Sequence, residues 1–266
     1  MSTTLAPELE PDHEAPPSRR PRRRRWLVAV ASVLVVLLAA AGGGIWWFLH
    51  GDAPAAVNLD SATQAVAEGT GSASASAAAA TDVSGSWSVD TSIGTFSFED
   101  STGTFVGFRI DEQLSGIGST TAVGRTPDVT GTITVDRSTV TAATIEADMS
   151  AITTNDSRRD HEVQEALETS SYPTATFVLT EPIDLGSAAT SGEATTVTAV
   201  GDLTIHGVTT KVSIPLQVQL VDDTIVLVGS VDVTFSDYGV SVPTAPIVLS
   251  AADHGVVELQ LFFTKG

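Results

Sequence analysis

Histidines and carboxylates are the side chains of this 266-residue chain whose spacing could support chemistry. His161 and Glu165 have the i, i+4 spacing that puts two metal ligands on one helix face, but a metal site needs at least a third ligand. His206 falls at a predicted hairpin tip, where polar side chains are ordinary. We therefore interpret both histidines as solvated polar groups, and we predict no metal site and no cofactor.

No familiar catalytic motif accompanies these residues. The sequence has no GxSxG, HExxH, P-loop or GxGxxG pattern, and its lack of cysteine removes thiol nucleophiles, zinc–thiolate sites and disulfides. The residues after His50 carry 28 acidic side chains against seven basic ones, so their surface repels a phosphate backbone. The sequence argues against an enzyme and against nucleic acid as a partner.

A charge-free segment of 24 residues, 26–49, follows an arginine cluster. As a helix it would be about 36 Å long, enough to span a bilayer core of about 30 Å with some tilt. Tryptophans stand at both ends, and the arginines keep the N-terminal side in the cytoplasm by the positive-inside rule. We predict a single-pass helix in the cell membrane, with the C-terminal domain extracytoplasmic. A cleaved signal peptide is the alternative and gives the domain the same compartment.

Two segments beside the predicted helix have the composition of unstructured chain. Residues 1–25 contain five prolines and the basic cluster, so we predict a disordered cytoplasmic tail. Residues 50–85 include the run GTGSASASAAAATD and are predicted to be a flexible Ala/Ser/Gly linker, although such a tract is also compatible with a weak helix. Residues 86–266 are predicted to form the folded domain.

The folded domain has the pattern of an all-β protein. Short runs alternate apolar and polar positions, and turn residues separate them. In residues 131–136, for example, Ile133 and Val135 share one face and the threonines share the other. Strands with one apolar face favour an antiparallel sheet. The predicted strands are Thr95–Phe98, Phe105–Asp111, Val129–Asp136, Val140–Met149, Thr176–Leu179, Thr195–Ile205, Lys211–Val221, Thr224–Phe235 and Val256–Phe263.

One segment has helical periodicity instead. In residues 157–169, Val163, Ala166 and Leu167 have helical spacing, which predicts a short helix lying over a barrel mouth or edge. About eight one-sided strands form either a closed barrel or a two-sheet sandwich, and the pattern leaves both open. A barrel of eight strands is just wide enough to hold one small ligand.

Several residues have predicted structural roles. Gly207 suits the positive φ of a hairpin turn, and Asp222-Asp223 forms a second tight turn. Pro215 belongs at an edge or a bulge, and Pro173 marks the start of an edge strand after the helix. Arg159-Asp160 would form a local ion pair at the helix start. Residues 111–125 are expected to form a loop.

Several pieces in order through residues 87–263 resemble the YceI-like, or polyisoprenoid-binding, family, whose fold is a lipocalin-like antiparallel barrel. They are Trp87–Asp90, Phe105–Ile110, the strand pair Thr130–Asp136 and Thr144–Met149, Arg159–His161, Tyr172–Phe177, Gly201–Val212 and Asp237–Val240. No single piece is specific, but their joint order is. The resemblance implies an apolar tunnel that binds an isoprenoid or similar long-chain lipid.

The resemblance, combined with the strand pattern, assigns the cavity-lining residues to inward-facing positions. They are Phe108, Ile110, Ile133, Val135, Phe177, Leu179, Leu203, Ile205, Val212, Ile214, Val231 and Val233. Each of them also suits ordinary core packing. The function implied is to bind, and to carry or sequester, an apolar lipid at the outer face of the membrane. The alternative is a cell-envelope scaffold or adhesion module with a solid β core and an acidic partner-binding surface. A homodimer is left open.

Overall fold

The computed structural model describes residues 53–69, 82–99, 101–115, 118–241 and 248–266. The predicted cytoplasmic tail and the predicted membrane helix both lie outside these ranges. None of the helices within the ranges has both the length and the apolar character that crossing a bilayer requires. The chain divides into two units at residue 51, and the fold described below is that of the second, Asp52–Gly266.

The described part of this unit is built on one 12-stranded antiparallel sheet. The strands are β1 (Gly85–Val89), β2 (Phe105–Leu114), β3 (Gly118–Thr126), β4 (Val129–Asp136), β5 (Thr139–Asp148), β6 (Thr174–Leu179), β7 (Ile183–Asp184), β8 (Thr195–Ile205), β9 (Val208–Val221), β10 (Thr224–Thr234), β11 (Val248–Ala251) and β12 (His254–Lys265). The helices are α1 (Leu59–Gly69), α2 (Ser157–Ala166) and α3 (Ala188–Ser191), with 3₁₀ turns at Met149–Ala151 and Phe235–Tyr238.

Eight strands of the sheet close into a barrel. Their order is β1-β4-β5-β6-β8-β9-β10-β12, and β12 pairs with β1 again through Phe263–Lys265. The same edge of β12 pairs with β2 over residues 256–260, and β3 adds to the far side of β2. Closure decides between the two architectures that the strand pattern allowed, because a sandwich would leave two separate sheets. The predicted antiparallel barrel is confirmed.

The two ends of the barrel differ. At the closed end, Trp87 is 1% exposed, and its indole nitrogen donates a 2.9 Å hydrogen bond to the carbonyl of Val83. Val135 and Phe263 belong to the same buried cluster and complete the packing there. At the opposite end, which we call the mouth, lie α2, the β8–β9 turn and the Phe235–Tyr238 turn. The interior is therefore sealed at one end and covered by separate elements at the other.

The prediction of a flexible linker over residues 50–85 was wrong for residues 53–69. Asn58 caps α1 by accepting from the backbone of Asp60 and Ser61, and one face of the helix is buried against Val226 and Phe262 on the outside of the barrel. The buried residues of that face are Leu59, Ala62, Ala65 and Val66. An alanine-rich amphipathic helix is made of small, weakly apolar residues, which are also common in linkers. A prediction from composition alone therefore assigned this segment to the linker.

Two strand assignments also needed correction. Residues 95–98 form a loop, in which Thr95 accepts from the backbone of Gly103 and donates to Thr102 Oγ1. Residues 111–125, expected to be a loop, instead hold the end of β2 and nearly all of β3, paired from Val106↔Thr126 to Leu114↔Gly118. β3 is made of small and polar residues, so it lacks the apolar alternation on which the prediction relied.

Most predicted turn and helix features are confirmed, and two are not. Gly207 has φ +72°, and residues 222–223 join β9 to β10. Pro173 precedes β6, but β6 pairs with both β5 and β8 and is not an edge strand. Arg159 does not pair with Asp160: it binds Glu112 at 2.9 Å, because β2 extends far enough to bring Glu112 to α2.

Candidate ligand-binding cavity

The barrel encloses an apolar cavity of about 200 Å³. Because side chains alternate along each strand, every second residue of the barrel strands points into this space. Among the described lining residues none is charged, and only Thr176 and Tyr238 carry a side-chain oxygen. Such a surface can offer dispersion contacts and burial to a ligand, and these two hydroxyls are the side-chain groups of the described lining that could form a hydrogen bond with it.

Eight of the twelve predicted site residues line the cavity: Phe108, Ile110, Ile133, Phe177, Leu179, Leu203, Ile205 and Ile214. The other four do not. Val135 is buried in the packing at the closed end, and Val233 packs with Leu203 and Tyr238. Val212 and Val231 are half-buried against the same clusters. Contact of any of the twelve with a lipid stays a prediction.

Sequence reasoning missed the lining residues at the mouth. Met149, Phe235, Tyr238 and Val240 border the cavity. Met149 and Phe235 were predicted to be the last residues of two strands, but both lie in 3₁₀ turns. Three further lining residues come from α2 and its C-terminal cap: Val163, Ala166 and Leu167. Their helical spacing was recognised in the sequence, and the structure places the helix over the mouth, as that spacing predicts.

Polar groups surround the mouth of the barrel. His206, with φ +52° in the β8–β9 turn, has Nδ1 3.1 Å from the carbonyl oxygen of Tyr238. Its Nε2 lies 3.6 Å from Glu168 Oε1, and the Tyr172 ring meets the imidazole edge-on at 4.8 Å. Burial raises the pKa of the Tyr238 hydroxyl, and Asp237 adds to this, whereas Thr210 opposes it. These contacts join the segment after α2, the β8–β9 turn and the Phe235–Tyr238 turn.

The polar groups at the mouth do not form a metal centre. Within the described ranges, no three His, Asp or Glu side chains lie close enough together to hold an ion. His161 and Glu165, the pair with suitable spacing, are both exposed on α2. The described residues that line the barrel interior form an apolar cavity.

Comparison with models of known families matches residues 87–263 to the YceI-like domain. The chain belongs to this family. The match begins at Trp87 in β1 and ends at Phe263 in β12, so it covers the barrel except for the first two residues of β1 and the last two of β12. Comparison with curated proteins gave no match.

Solved structures similar to this YceI-like domain come from several bacteria. A polyisoprenoid binding domain from Saccharophagus degradans is 18% identical, with a TM-score of 0.50, and the alignment covers 68% of this chain and 98% of that one. BcnA of Burkholderia cenocepacia is 21% identical over 59% and 95% of the two chains, with a TM-score of 0.46. A YceI protein of Campylobacter jejuni is 18% identical over 54% and 84%, with a TM-score of 0.44. At this identity the first likeness shows the fold alone.

Proposed function

We propose that this YceI-like domain binds one apolar lipid of the isoprenoid class inside the barrel and carries or sequesters it without chemical change. The observation that supports the proposal is the uncharged, almost wholly apolar wall of the cavity. The similar domain from Saccharophagus degradans is described as polyisoprenoid binding, which favours an isoprenoid among apolar lipids. A scaffold with a solid core, the alternative function, would have no use for this internal space.

The cavity size limits what the barrel can enclose without rearrangement. An apolar cavity of about 150 Å³ accommodates benzene, whereas pockets for drug-sized ligands measure about 300–1,000 Å³. At about 200 Å³ the cavity has room for a short apolar segment, so a long chain requires wall side chains to move. Each enclosed methylene contributes about 0.8 kcal/mol, and the cost of association offsets part of that sum. A moderate affinity follows.

We further propose that the domain acts at the outer face of the cell membrane. The support for this location is the charge-free segment 26–49, preceded by the arginine cluster. A lipid carrier beside a bilayer has its ligand reservoir within reach, which suits a cavity of moderate affinity.

Co-purification of a lipid with the full chain tests the binding proposal. Ala143 of β5 lines the cavity, and its neighbour Ala142 is exposed on the outer face of the same strand. We expect native mass spectrometry and solvent extraction to find about one apolar lipid per chain for the parent protein and for Ala142→Phe. In Ala143→Phe, the added ring fills the cavity and should lower lipid occupancy at least fivefold.

Two results would overturn the proposal. A parent chain that stays free of lipid after incubation with polyprenol-containing vesicles would remove the carrier function and favour a scaffold. Equal lipid occupancy in Ala142→Phe and Ala143→Phe would place the bound lipid outside the barrel. Thermal unfolding of both variants confirms that the comparison is between folded proteins.

A further inference from the structure

The hydrogen-bonded wall of the barrel is incomplete between β9 and β10. The two strands, both described over their full length, pair from Thr224↔Val221 to Gly229↔Leu216, and no pair follows. Beyond this point β9 continues to Val208 paired only with β8, and β10 continues to Thr234 paired only with β12. The two strands therefore leave a slot in the wall, which runs from the mouth to about the middle of the barrel.

Pro215 accounts for the point at which the ladder stops. Its carbonyl oxygen lies 2.9 Å from where a Cβ on Gly229 would stand, so it faces β10. In an antiparallel strand the nitrogen of a residue points to the same side as its carbonyl, and the proline nitrogen has no hydrogen to donate. Pro215, which was predicted to lie at an edge or a bulge, lies at the point where the β9–β10 ladder ends. From this point to Val208, the edge of β9 that faces β10 forms one rim of the slot.

Residues 235–240, which we call the slot cover, fill the gap with side chains rather than with strand pairing. Tyr238 and Val240 of the slot cover are buried with Leu203, and Val212 and Val231 from the two rims pack against the same cluster. Phe235, Tyr238 and Val240 also line the cavity. The slot cover is therefore the layer between the cavity and the outside along this part of the wall.

Two sets of polar contacts fasten the slot cover at its ends. Asp253 accepts from the backbone nitrogen of Ser236 at 3.1 Å and from its hydroxyl at 2.6 Å, and the Asp253 carbonyl accepts from the backbone of Phe235. At the other end, the Tyr238 carbonyl faces His206 Nδ1 at 3.1 Å. Gly239 follows with φ +70°, a conformation that glycine adopts without strain.

We propose that the slot between β9 and β10 is the entrance for the lipid and that the slot cover is its gate. The proposal rests on the binding function proposed above. Separating two neighbouring strands that pair along their length would break ladder hydrogen bonds, each worth about 1 kcal/mol. Between the described strands β9 and β10, no ladder hydrogen bond crosses the slot. A slot open to the side also lets a long chain enter broadside, so its end need not be threaded through the mouth.

The other cover of the mouth, α2, is fastened by polar contacts of its own. Arg159 binds Glu112 at 2.9 Å with both side chains largely buried, and Gln164 donates to the carbonyl of Ser150. Thr154 donates to Asp160 from its hydroxyl at 2.7 Å and from its backbone nitrogen. None of these bonds involves residues 235–240, so the slot cover can move without breaking them.

The absence of native cysteine from the sequence allows a direct test of access in the full chain. Ala199, 2% exposed, lines the cavity, and Val135, also 2% exposed, lies outside it at the closed end. Single reporters Ala199→Cys and Val135→Cys are reacted with methyl methanethiosulfonate, and the rate of modification is followed by mass spectrometry. Asp253→Ala is added to each reporter to release one end of the slot cover, and His206→Asn, which tolerates positive φ, releases the other.

We expect either release variant to raise the modification rate of the Ala199→Cys reporter at least fivefold and to leave that of the Val135→Cys reporter within twofold. Gln164→Ala, which frees a contact of α2 instead, should change neither rate. Equal acceleration of both reporters would show general loosening and overturn the gate. Acceleration by Gln164→Ala, or no acceleration by either release variant, would place the entrance elsewhere. Because the readout is access and not lipid, the gate can fail while co-purified lipid still supports the binding function.

Discussion

Arg125 and Glu258 form an ion pair on the outer side of the barrel wall with both side chains buried. The guanidinium donates to one carboxylate oxygen from Nε at 3.0 Å and from Nη2 at 2.9 Å, and the side chains are 3% and 1% exposed. Arg109 lies 3.7 Å from the second carboxylate oxygen. Arg109 and Arg125 also donate to the carbonyls of Pro54 and Ala55, at 2.8 and 2.6 Å. The pair therefore ties the segment before α1 to β2, β3 and β12.

Removing one partner of this pair should be costly. Glu258→Leu leaves two guanidinium groups without their carboxylate, and breaking a buried pair in this way costs about 3–5 kcal/mol. The double variant Arg125→Met with Glu258→Leu removes both charges of the pair, so we expect it to recover at least half of that loss. Urea unfolding of the two variants and the parent measures the difference. A double variant no more stable than Glu258→Leu would contradict this account.

Docking of α1 should depend on its buried face and not on its exposed face. Ala62 is fully buried against the barrel, and the adjacent Ser61 is exposed. Ala62→Asp places an unpaired carboxylate in that contact, which we expect to cost about 2–4 kcal/mol and to release the helix from the barrel. Limited proteolysis should then cut within residues 53–69. Ser61→Asp, the matched control, should resist cleavage as the parent does, and cleavage of both variants alike would contradict the docking.

The barrel could be predicted because its signals are local and repeated. Alternation in β4 and β9 marks the inner face of each strand, and β8 and β9 turn at a glycine with the expected positive φ. β3 could not be predicted in this way, because its own residues are small and polar and give no apolar alternation, although its partner β2 directly precedes it in the sequence. The docked α1 was missed for a different reason, since its partner surface is remote in sequence.

The same contrast holds for the candidate site, where the strand pattern predicts some of the lining residues correctly and others not. Lining residues on regular strands, such as Phe177 and Leu203, follow from the period of two. Val212 and Val233 have the same pattern and do not line the cavity, because the slot cover packs against them. Alternation specifies which face of a strand is inside, but whether that face meets a void or another side chain depends on turns such as residues 235–240.

The packing of the Phe108 ring should require a glycine at position 124. A Cβ at this position would stand 2.4 Å from Phe108 Cε1 and 2.7 Å from its Cζ, and Phe108 lines the cavity. We expect Gly124→Ala to cost about 1–3 kcal/mol through overpacking. Because the obstruction is a side chain rather than backbone, Phe108→Leu should suppress it. Unfolding measurements on both single variants and the double variant give the coupling, and additive effects would contradict a direct clash.

Asp90 should give the fold a measurable acid dependence. Its carboxylate accepts from the Ser92 hydroxyl at 2.6 Å, from the Ser92 backbone at 2.8 Å and from Thr264 at 3.2 Å. The bond from the Ser92 hydroxyl contributes most to lowering the pKa of Asp90, and partial burial opposes it. Since the folded state binds this proton less tightly than the unfolded chain does, the stabilisation is present above the unfolded pKa of about 4 and is lost as the pH falls through the lower folded pKa.

Asp90→Asn removes that titration. We expect the variant to be less stable than the parent near neutral pH by under about 1 kcal/mol, because the group is partly exposed and solvent screens its interactions. The difference should shrink as the pH approaches about 2, where the parent carboxyl is also protonated. Urea unfolding of both proteins at several pH values between about 2 and 7 measures it. A stability difference independent of pH would mean that Asp90 contributes through the shape of its loop and not through its charge.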